Sequence, residues 1–212
     1  MAVRIKFCGL TRACDVDTAV SLECDYVGVI FAGGPRNRTL DQASAILQGA
    51  PRAQRVGVFG APDPGMLERY MASVPLSIAQ LHCNASPRSI AAARGAGVTE
   101  VWAVAAVRDG VLPETAAELF QCADGVVLDT GARDGLGGTG RSFDWAAVAR
   151  AIEKVNRRAR LVVAGGLTPD NVARAIQCLK PEVVDVSSGV ESAPGVKDPI
   201  LMRRFIEVAR SA

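Results

Sequence analysis

The sequence predicts a single α/β domain of the (β/α)8 TIM-barrel class, on three observations. Short Val/Ile-rich runs alternate with longer amphipathic stretches along the whole chain. There are eight such pairs in 212 residues, about 26 residues each. The apolar runs are nearly continuous, as in parallel strands covered on both faces. Eight strand–helix units close a barrel. The competing architecture, an open doubly wound sheet, lacks its glycine fingerprint after the first strand. No Gly/Ser/Pro linker divides the chain, so residues 1–212 read as one domain.

The expected strands are Val3–Cys8, Tyr26–Phe31, Gln54–Phe59, Ser77–His82, Glu100–Ala105, Asp124–Asp129, Arg160–Ala164 and Glu182–Ser187. Helices are expected near 13–23, 41–49, 64–73, 86–94, 113–121, 144–156, 169–178 and 197–211. Thr168-Pro169-Asp170 and Ser86-Pro87 each place a capping hydroxyl before a first-turn proline. Asp144 caps a helix starting near Trp145.

Composition excludes several classes. Apolar residues make up 49% of the chain and charged residues 22%, which is ordinary globular usage. A formal charge of +2 is too small for a nucleic-acid surface. No run approaches the roughly 20 apolar residues of a membrane span. Charges inside the first apolar run argue against a signal peptide. The six cysteines form no C-x-x-C pair, and one histidine builds no zinc site, so no metal is expected. The reading is a reduced, cytoplasmic protein with no nucleic-acid or membrane partner.

In a barrel of this kind the reactive groups collect at the C-terminal strand ends. Strand 1 ends in Cys8-Gly9, strand 4 in Gln80-Leu81-His82 and strand 6 in Leu128-Asp129-Thr130. Strand 7 ends in Ala164-Gly165-Gly166, and strand 8 in Asp185-Val186-Ser187-Ser188-Gly189. The paired glycines and the Ser-Ser-Gly at adjacent strand ends suit a phosphate, because backbone can approach an anion closely there. Cys8 and Asp129 face each other across the mouth and form a candidate base and acid. A thiol base must ionise, which a cation nearby would favour; a carboxyl acid must keep its proton, which burial favours. On sequence alone Cys8 reads equally as a buried filler, and Asp129 also as a structural cap. Arg36, in the loop after strand 2, suits a bidentate grip on a carboxylate or phosphate, or lies in solvent. His82 reads as a substrate contact or as a structural group. Lys6 and Cys8 share one strand face. If Cys8 points into the mouth, Lys6 points into the barrel and needs a partner. Strand 8 closes beside strand 1, which predicts an ion pair between Lys6 and Asp185. Glycine-rich loops near 32–38 and 131–141 are expected over the site.

With these residues in view, the chain resembles phosphoribosylanthranilate isomerase of tryptophan biosynthesis. The resemblance opens at Lys6-Phe7-Cys8-Gly9-Leu10-Thr11-Arg12. It continues in order through Pro35-Arg36, Arg55-Val56-Gly57-Val58-Phe59, Gln80-Leu81-His82 and Leu128-Asp129-Thr130. It then takes in Gly137-Gly138-Thr139-Gly140 with Phe143-Asp144-Trp145, Ala164-Gly165-Gly166-Leu167 and Asp185-Val186-Ser187-Ser188-Gly189-Val190-Glu191. The set spans residues 6 to 191, and its order makes it specific. It implies a (β/α)8 barrel that converts N-(5′-phosphoribosyl)anthranilate to 1-(2-carboxyphenylamino)-1-deoxyribulose 5-phosphate by an Amadori rearrangement, without cofactor or metal. By resemblance, Asp129 is the general acid, Cys8 the general base, Arg36 the holder of the anthranilate carboxylate, and Gly165, Gly166, Ser187, Ser188 and Gly189 the phosphate site. The implied partner is this small molecule, and the chain acts as monomer or homodimer. Departures from the family pattern are Cys83, Glu23-Cys24, a loop at Ala32–Pro35 that looks one residue short, Arg38 and Ala103. Arg38 is a rival to Arg36 for the carboxylate.

Overall fold

In the computed structural model, residues 2–50, 52–83, 85–130 and 143–212 are described. Eight parallel strands close into a barrel in chain order. They are β1 (Arg4–Phe7), β2 (Tyr26–Ile30), β3 (Gln54–Phe59), β4 (Ile78–Leu81), β5 (Glu100–Val107), β6 (Gly125–Thr130), β7 (Arg160–Val163) and β8 (Val183–Val186). Each is followed by a helix: α1 (Ala13–Ser21), α2 (Leu40–Leu47), α3 (Pro64–Ser73), α4 (Pro87–Gly95), α5 (Ala116–Cys122), α6 (Trp145–Ile152), α7 (Val172–Leu179) and α8 (Pro199–Arg210). Among the described residues, no helix is long and apolar enough to cross a membrane. The expected loop at 131–141 lies outside the described residues.

Two apolar layers follow from the strand alternation. Outward side chains such as Phe7, Val126 and Val184 pack under the helices. Inward ones, including Tyr26, Val56, Ile78, Trp102, Val127, Val162 and Val183, fill the barrel. Tyr26 and Trp102 meet edge to face at 5.1 Å in this inner layer. The barrel is therefore packed rather than hollow, as this architecture requires.

The seam where β8 meets β1 is the exception to the apolar filling. Lys6 stands directly opposite Asp185 in the parallel register. Its Nζ donates to Asp185 Oδ2 at 2.6 Å and to Gln80 Oε1 at 2.8 Å, and Lys6 is fully buried. The ion pair expected from strand parity is thus present, with Gln80 of β4 as a second acceptor. Burial is the largest influence and works against the ammonium, but the charges and hydrogen bonds of Asp185 and Cys8 together outweigh it, and the lysine pKa lies above its ordinary value.

The helix starts at Ser86 and Asp144 carry the caps expected of them, accepting from Ser89 N and Ala147 N. Two starts differ. The helix expected from 169 begins at Val172, because Asn171 rather than Thr168 is its N-cap. Asn171 Oδ1 accepts from Thr168 N at 2.8 Å, so Thr168-Pro169-Asp170 forms a turn ahead of the helix. The helix expected from 197 begins at Pro199, capped by Asp198. The chain before it forms a short antiparallel hairpin, β9 (Glu191–Ala193) with β10 (Val196–Lys197). The turn pair Pro194-Gly195 is the sequence signal for that hairpin, and Gly195 takes a φ of +81°.

Removing one member of a buried pair strands the other charge, at about 3–5 kcal/mol. Lys6→Met is expected to lose stability of that order in urea titration. Lys6→Met/Asp185→Leu, which leaves no lone charge, is expected to lose less.

Candidate active site

The C-terminal ends of the strands surround a cleft that opens to solvent, where a barrel of this kind binds its ligand. Cys8, Asp129, Arg36, His82, Gly165, Gly166, Ser187, Ser188 and Gly189 all line it, so the structure gathers every residue singled out in the sequence. Gln80 and Asp185 form part of the wall, which places the buried seam just beneath the cleft.

Cys8 is the first residue beyond β1, held by a bond from its N–H to Val186 O at 2.9 Å. Gly28 of the neighbouring strand makes room for it. A Cβ there would lie 3.1 Å from Cys8 Sγ and 3.2 Å from Lys6 Cε. Burial pushes the Cys8 thiol above its ordinary range; the cationic Lys6 and Lys197 pull it down without cancelling this. In the empty cleft the group is therefore a thiol, not the thiolate that base chemistry requires.

Asp129 sits at the end of β6 with the opposite requirement. Burial, reinforced by the charge of Asp185, pushes its carboxyl up to about 6. Thr130 bonds oppose the shift and do not reverse it. A left-handed backbone at Gly165, φ +78°, lets the β7 loop lie on this carboxyl. A Cβ at Gly165 would stand 2.7 Å from Asp129 Oδ1 and 2.6 Å from Thr130 N. The glycine is thus required by the acid's setting as well as by any anion.

The loops after β7 and β8 touch through backbone. A Cβ at Gly189 would fall 1.8 Å from Leu167 O, so only glycine fits. Asn171 braces the first loop, donating from Nδ2 to Gly166 O at 2.9 Å. Sequence reasoning missed Asn171; three residues after Thr168, it stands where a side chain can reach back to a capping residue's N–H, and its Oδ1 does accept from Thr168 N.

Arg36 reaches the cleft, but one edge of its guanidinium is taken. Nε and Nη2 donate to Glu191 Oε1 and Oε2 at 2.8 and 2.6 Å. Glu191 Oε1 also accepts from Lys197 Nζ at 2.8 Å. Burial alone would raise the Glu191 carboxyl, but Arg36 and Lys197 together hold it down at about 2. Neither Glu191 nor Lys197 was given a role from sequence: Glu191 enters only as the last residue of the resemblance, and Lys197 as the first residue of the expected final helix, where the structure has the hairpin β9–β10. Arg38 is not among the cleft residues. It lies in a separate surface depression with Phe31, Asn37, Arg69 and Tyr70, and donates to Pro35 O at 3.1 Å.

His82 borders the cleft beyond β4. Burial, with the charge of Lys6, lowers its pKa, so the imidazole is neutral at pH 7. Its Nδ1 has no hydrogen-bond partner among the described residues.

Fold and mouth together define a class: a (β/α)8-barrel enzyme with a thiol, a carboxyl and paired glycine-rich loops on its C-terminal face. The family model described as N-(5′phosphoribosyl)anthranilate (PRA) isomerase matches residues 5–208, and the chain belongs to that family. The N-(5′-phosphoribosyl)anthranilate isomerase of Thiobacillus denitrificans is 38% identical over 214 residues, covering 100% of each chain. The crystal structure of the Thermotoga maritima phosphoribosyl anthranilate isomerase superposes with a TM-score of 0.86 at 32% identity, over 99% of this chain and 100% of that one. An isomerase of the same name in complex with reduced 1-(o-carboxyphenylamino)-1-deoxyribulose 5-phosphate superposes at 0.83 and 30% identity, over 99% and 100% of the two chains.

A buried, un-ionised thiol reacts slowly with alkylating agents. At neutral pH, iodoacetamide is expected to modify the exposed Cys14 well before Cys8, which timed peptide mapping by mass spectrometry checks.

Proposed function

We propose that this protein isomerises N-(5′-phosphoribosyl)anthranilate to 1-(2-carboxyphenylamino)-1-deoxyribulose 5-phosphate, a step of tryptophan biosynthesis. The observation that carries the reading is the convergence of Cys8, Asp129, Arg36 and the β7–β8 glycine loops on one cleft in a chain of this family. The substrate has two anionic ends, a phosphate and a carboxylate. The glycine loops and Arg36 offer a separate place for each.

Asp129 acts as general acid. It gives its proton to the ribose ring oxygen, the bond from that oxygen to C1 breaks, and the amine lone pair forms a C1–N iminium. Cys8, as thiolate, removes the C2 proton, and the freed electron pair makes the C1–C2 double bond of an enolamine while neutralising nitrogen. Tautomerisation, with a proton gained at C1 and one lost from the C2 hydroxyl, gives the ketone. The iminium acidifies C2, so a modest base suffices, and its positive charge favours the thiolate beside it. The phosphate rests on Gly165, Gly166, Ser187, Ser188 and Gly189. Arg36 holds the carboxylate, and His82 contacts the substrate as a neutral imidazole. On this reading the enzyme works in the cytoplasm, where thiols stay reduced, and all six cysteines are free. One chain lines the cleft, so monomer and homodimer serve the mechanism equally.

Loss of substrate fluorescence, with phosphoribosylanthranilate generated in place, is the direct assay. Rapid loss is expected with the wild type. Asp129→Asn and Cys8→Ser are each expected to cost on the order of 10²-fold or more in turnover; near wild-type rates in either would reject that role. The pH profile is a second test. With the acid near 6 and the thiol held above its ordinary range by burial, the form that turns over, acid protonated and base ionised, is a minority at every pH. Its share rises with pH up to about 6, stays level, and falls once the pH passes the thiol's pKa. kcat/KM is expected to follow that shape, since it reports the free enzyme.

A further inference from the structure

The hairpin β9–β10 sits against the loop after β1. Thr11 Oγ1 donates to Gly195 O. Arg12 Nη2 donates to Lys197 O at 3.1 Å, and Lys197 N donates to Asp15 Oδ2 at 3.3 Å. These ties fix the two side chains that the hairpin presents to Arg36. The Glu191 side chain is 4% exposed and that of Lys197 fully buried. Lys197 Nζ faces three oxygens, Glu191 Oε1, Ser187 O at 3.0 Å and Ser187 Oγ at 3.5 Å, which suit an ammonium; burial lowers its pKa from the ordinary range, and the charge of Glu191 works against that.

A guanidinium has five N–H groups in a rigid plane. Glu191 takes one from Nε and one from Nη2, all on one edge. The end of the plane, Nη1 with the second N–H of Nη2, remains a bidentate fork of the kind that matches a carboxylate. No described residue accepts from Nη1. Arg36 can therefore be held by one carboxylate and read another. The charges decide whether it will: a lone Arg36–Glu191 pair is neutral and attracts an incoming anion weakly, but two cations share this one carboxylate, so the cluster stays net positive. Gly9 completes the seat, since a Cβ there would stand 2.6 Å from Arg36 Cδ.

We propose that Glu191 and Lys197 are positioning residues for substrate selection: Glu191 anchors the inner edge of Arg36 so that its outer fork faces the cleft, and Lys197 keeps the cluster cationic, so that the site prefers an aromatic amine bearing a carboxylate. The proposal rests on Arg36 as holder of that carboxylate.

The test compares two ligands by calorimetry: reduced 1-(2-carboxyphenylamino)-1-deoxyribulose 5-phosphate and its counterpart with the carboxylate replaced by hydrogen. The wild type is expected to prefer the first, and Arg36→Ala to lose the preference. Glu191→Gln and Lys197→Met are each expected to cut the preference on the order of tenfold; because the preference is a ratio of the two ligands, any loss at the shared phosphate end cancels from it. The double variant Glu191→Gln/Lys197→Met removes the buried ammonium together with the carboxylate, leaving only Arg36, which lines the cleft, without an acid; it covers the case in which a single variant does not fold, and it too is expected to lose the preference. If Arg36→Ala keeps the preference, the assignment of Arg36 falls and the proposal with it. If Arg36→Ala loses the preference and the other variants keep it, the proposal alone falls. Tighter binding of the carboxylated ligand by Glu191→Gln would also overturn it, because Glu191 would then be a competitor for Arg36 and not its anchor.

Discussion

The buried pair between Lys6 and Asp185 governs both the closure of the barrel and the chemistry of its mouth. It bridges the last strand and the first, where the parallel register sets the two residues opposite each other. Because it lies one layer below the cleft, its two charges act on the groups above with opposite signs. The Lys6 ammonium draws the Cys8 thiol down, and the Asp185 carboxylate pushes the Asp129 carboxyl up. A low-dielectric interior strengthens both effects. A hydrophobic pair of equal volume would also fill the seam, but it would leave the two groups in the mouth without this tuning. Asp185 Oδ1 has no partner among the described residues, so the pair is not fully satisfied within the barrel wall and keeps an acceptor at the cleft.

Close backbone approach is the second constraint. Gly165 lies on the Asp129 carboxyl, Gly189 on Leu167 O, and Gly28 under Cys8. The first two contacts are shorter than any side chain allows, and the third is tighter than most. They press three loops and one strand together until the cleft is narrow enough to bury a carboxyl, and that burial is what keeps the carboxyl un-ionised up to about pH 6. Glycines that look from the sequence like provision for a phosphate are thus also what sets the acidity of a group on the next strand.

Much of this was legible in the sequence, for a definable reason. Strand runs and the parity of Lys6 with Cys8 are local patterns, and closure at eight strands converts them into a unique pairing partner, Asp185. The cleft residues were legible because strand ends map directly onto the mouth of a barrel. Properties that depend on tertiary surroundings were not. Cys8 was expected to need a lowered pKa, yet its burial raises it, since desolvation is invisible in the sequence. Thr168 does accept from Asp170 N as a cap would, but the turn it opens runs on to Asn171 before the helix begins. Lys197 reads as the first residue of an amphipathic helix, because the helical period continues across the Asp198 cap; only the turn at Pro194-Gly195 betrays the hairpin. Arg38, a rival of Arg36 by spacing, turns away into a different depression.

The hairpin has a consequence for how such a barrel changes its substrate. The thiol and the carboxyl stand at the ends of β1 and β6, inside the framework, and burial sets their acidity with the charges of the seam second. The cluster around Arg36 hangs on a seven-residue excursion between β8 and α8, tied down by Thr11, Arg12 and Asp15. The bond-breaking apparatus and the part that reads the far end of the ligand thus occupy different stretches of chain with few residues in common. On the proposed assignment, a change in that short segment would alter how Arg36 is held while the framework, with Cys8 and Asp129 in it, stays as it is.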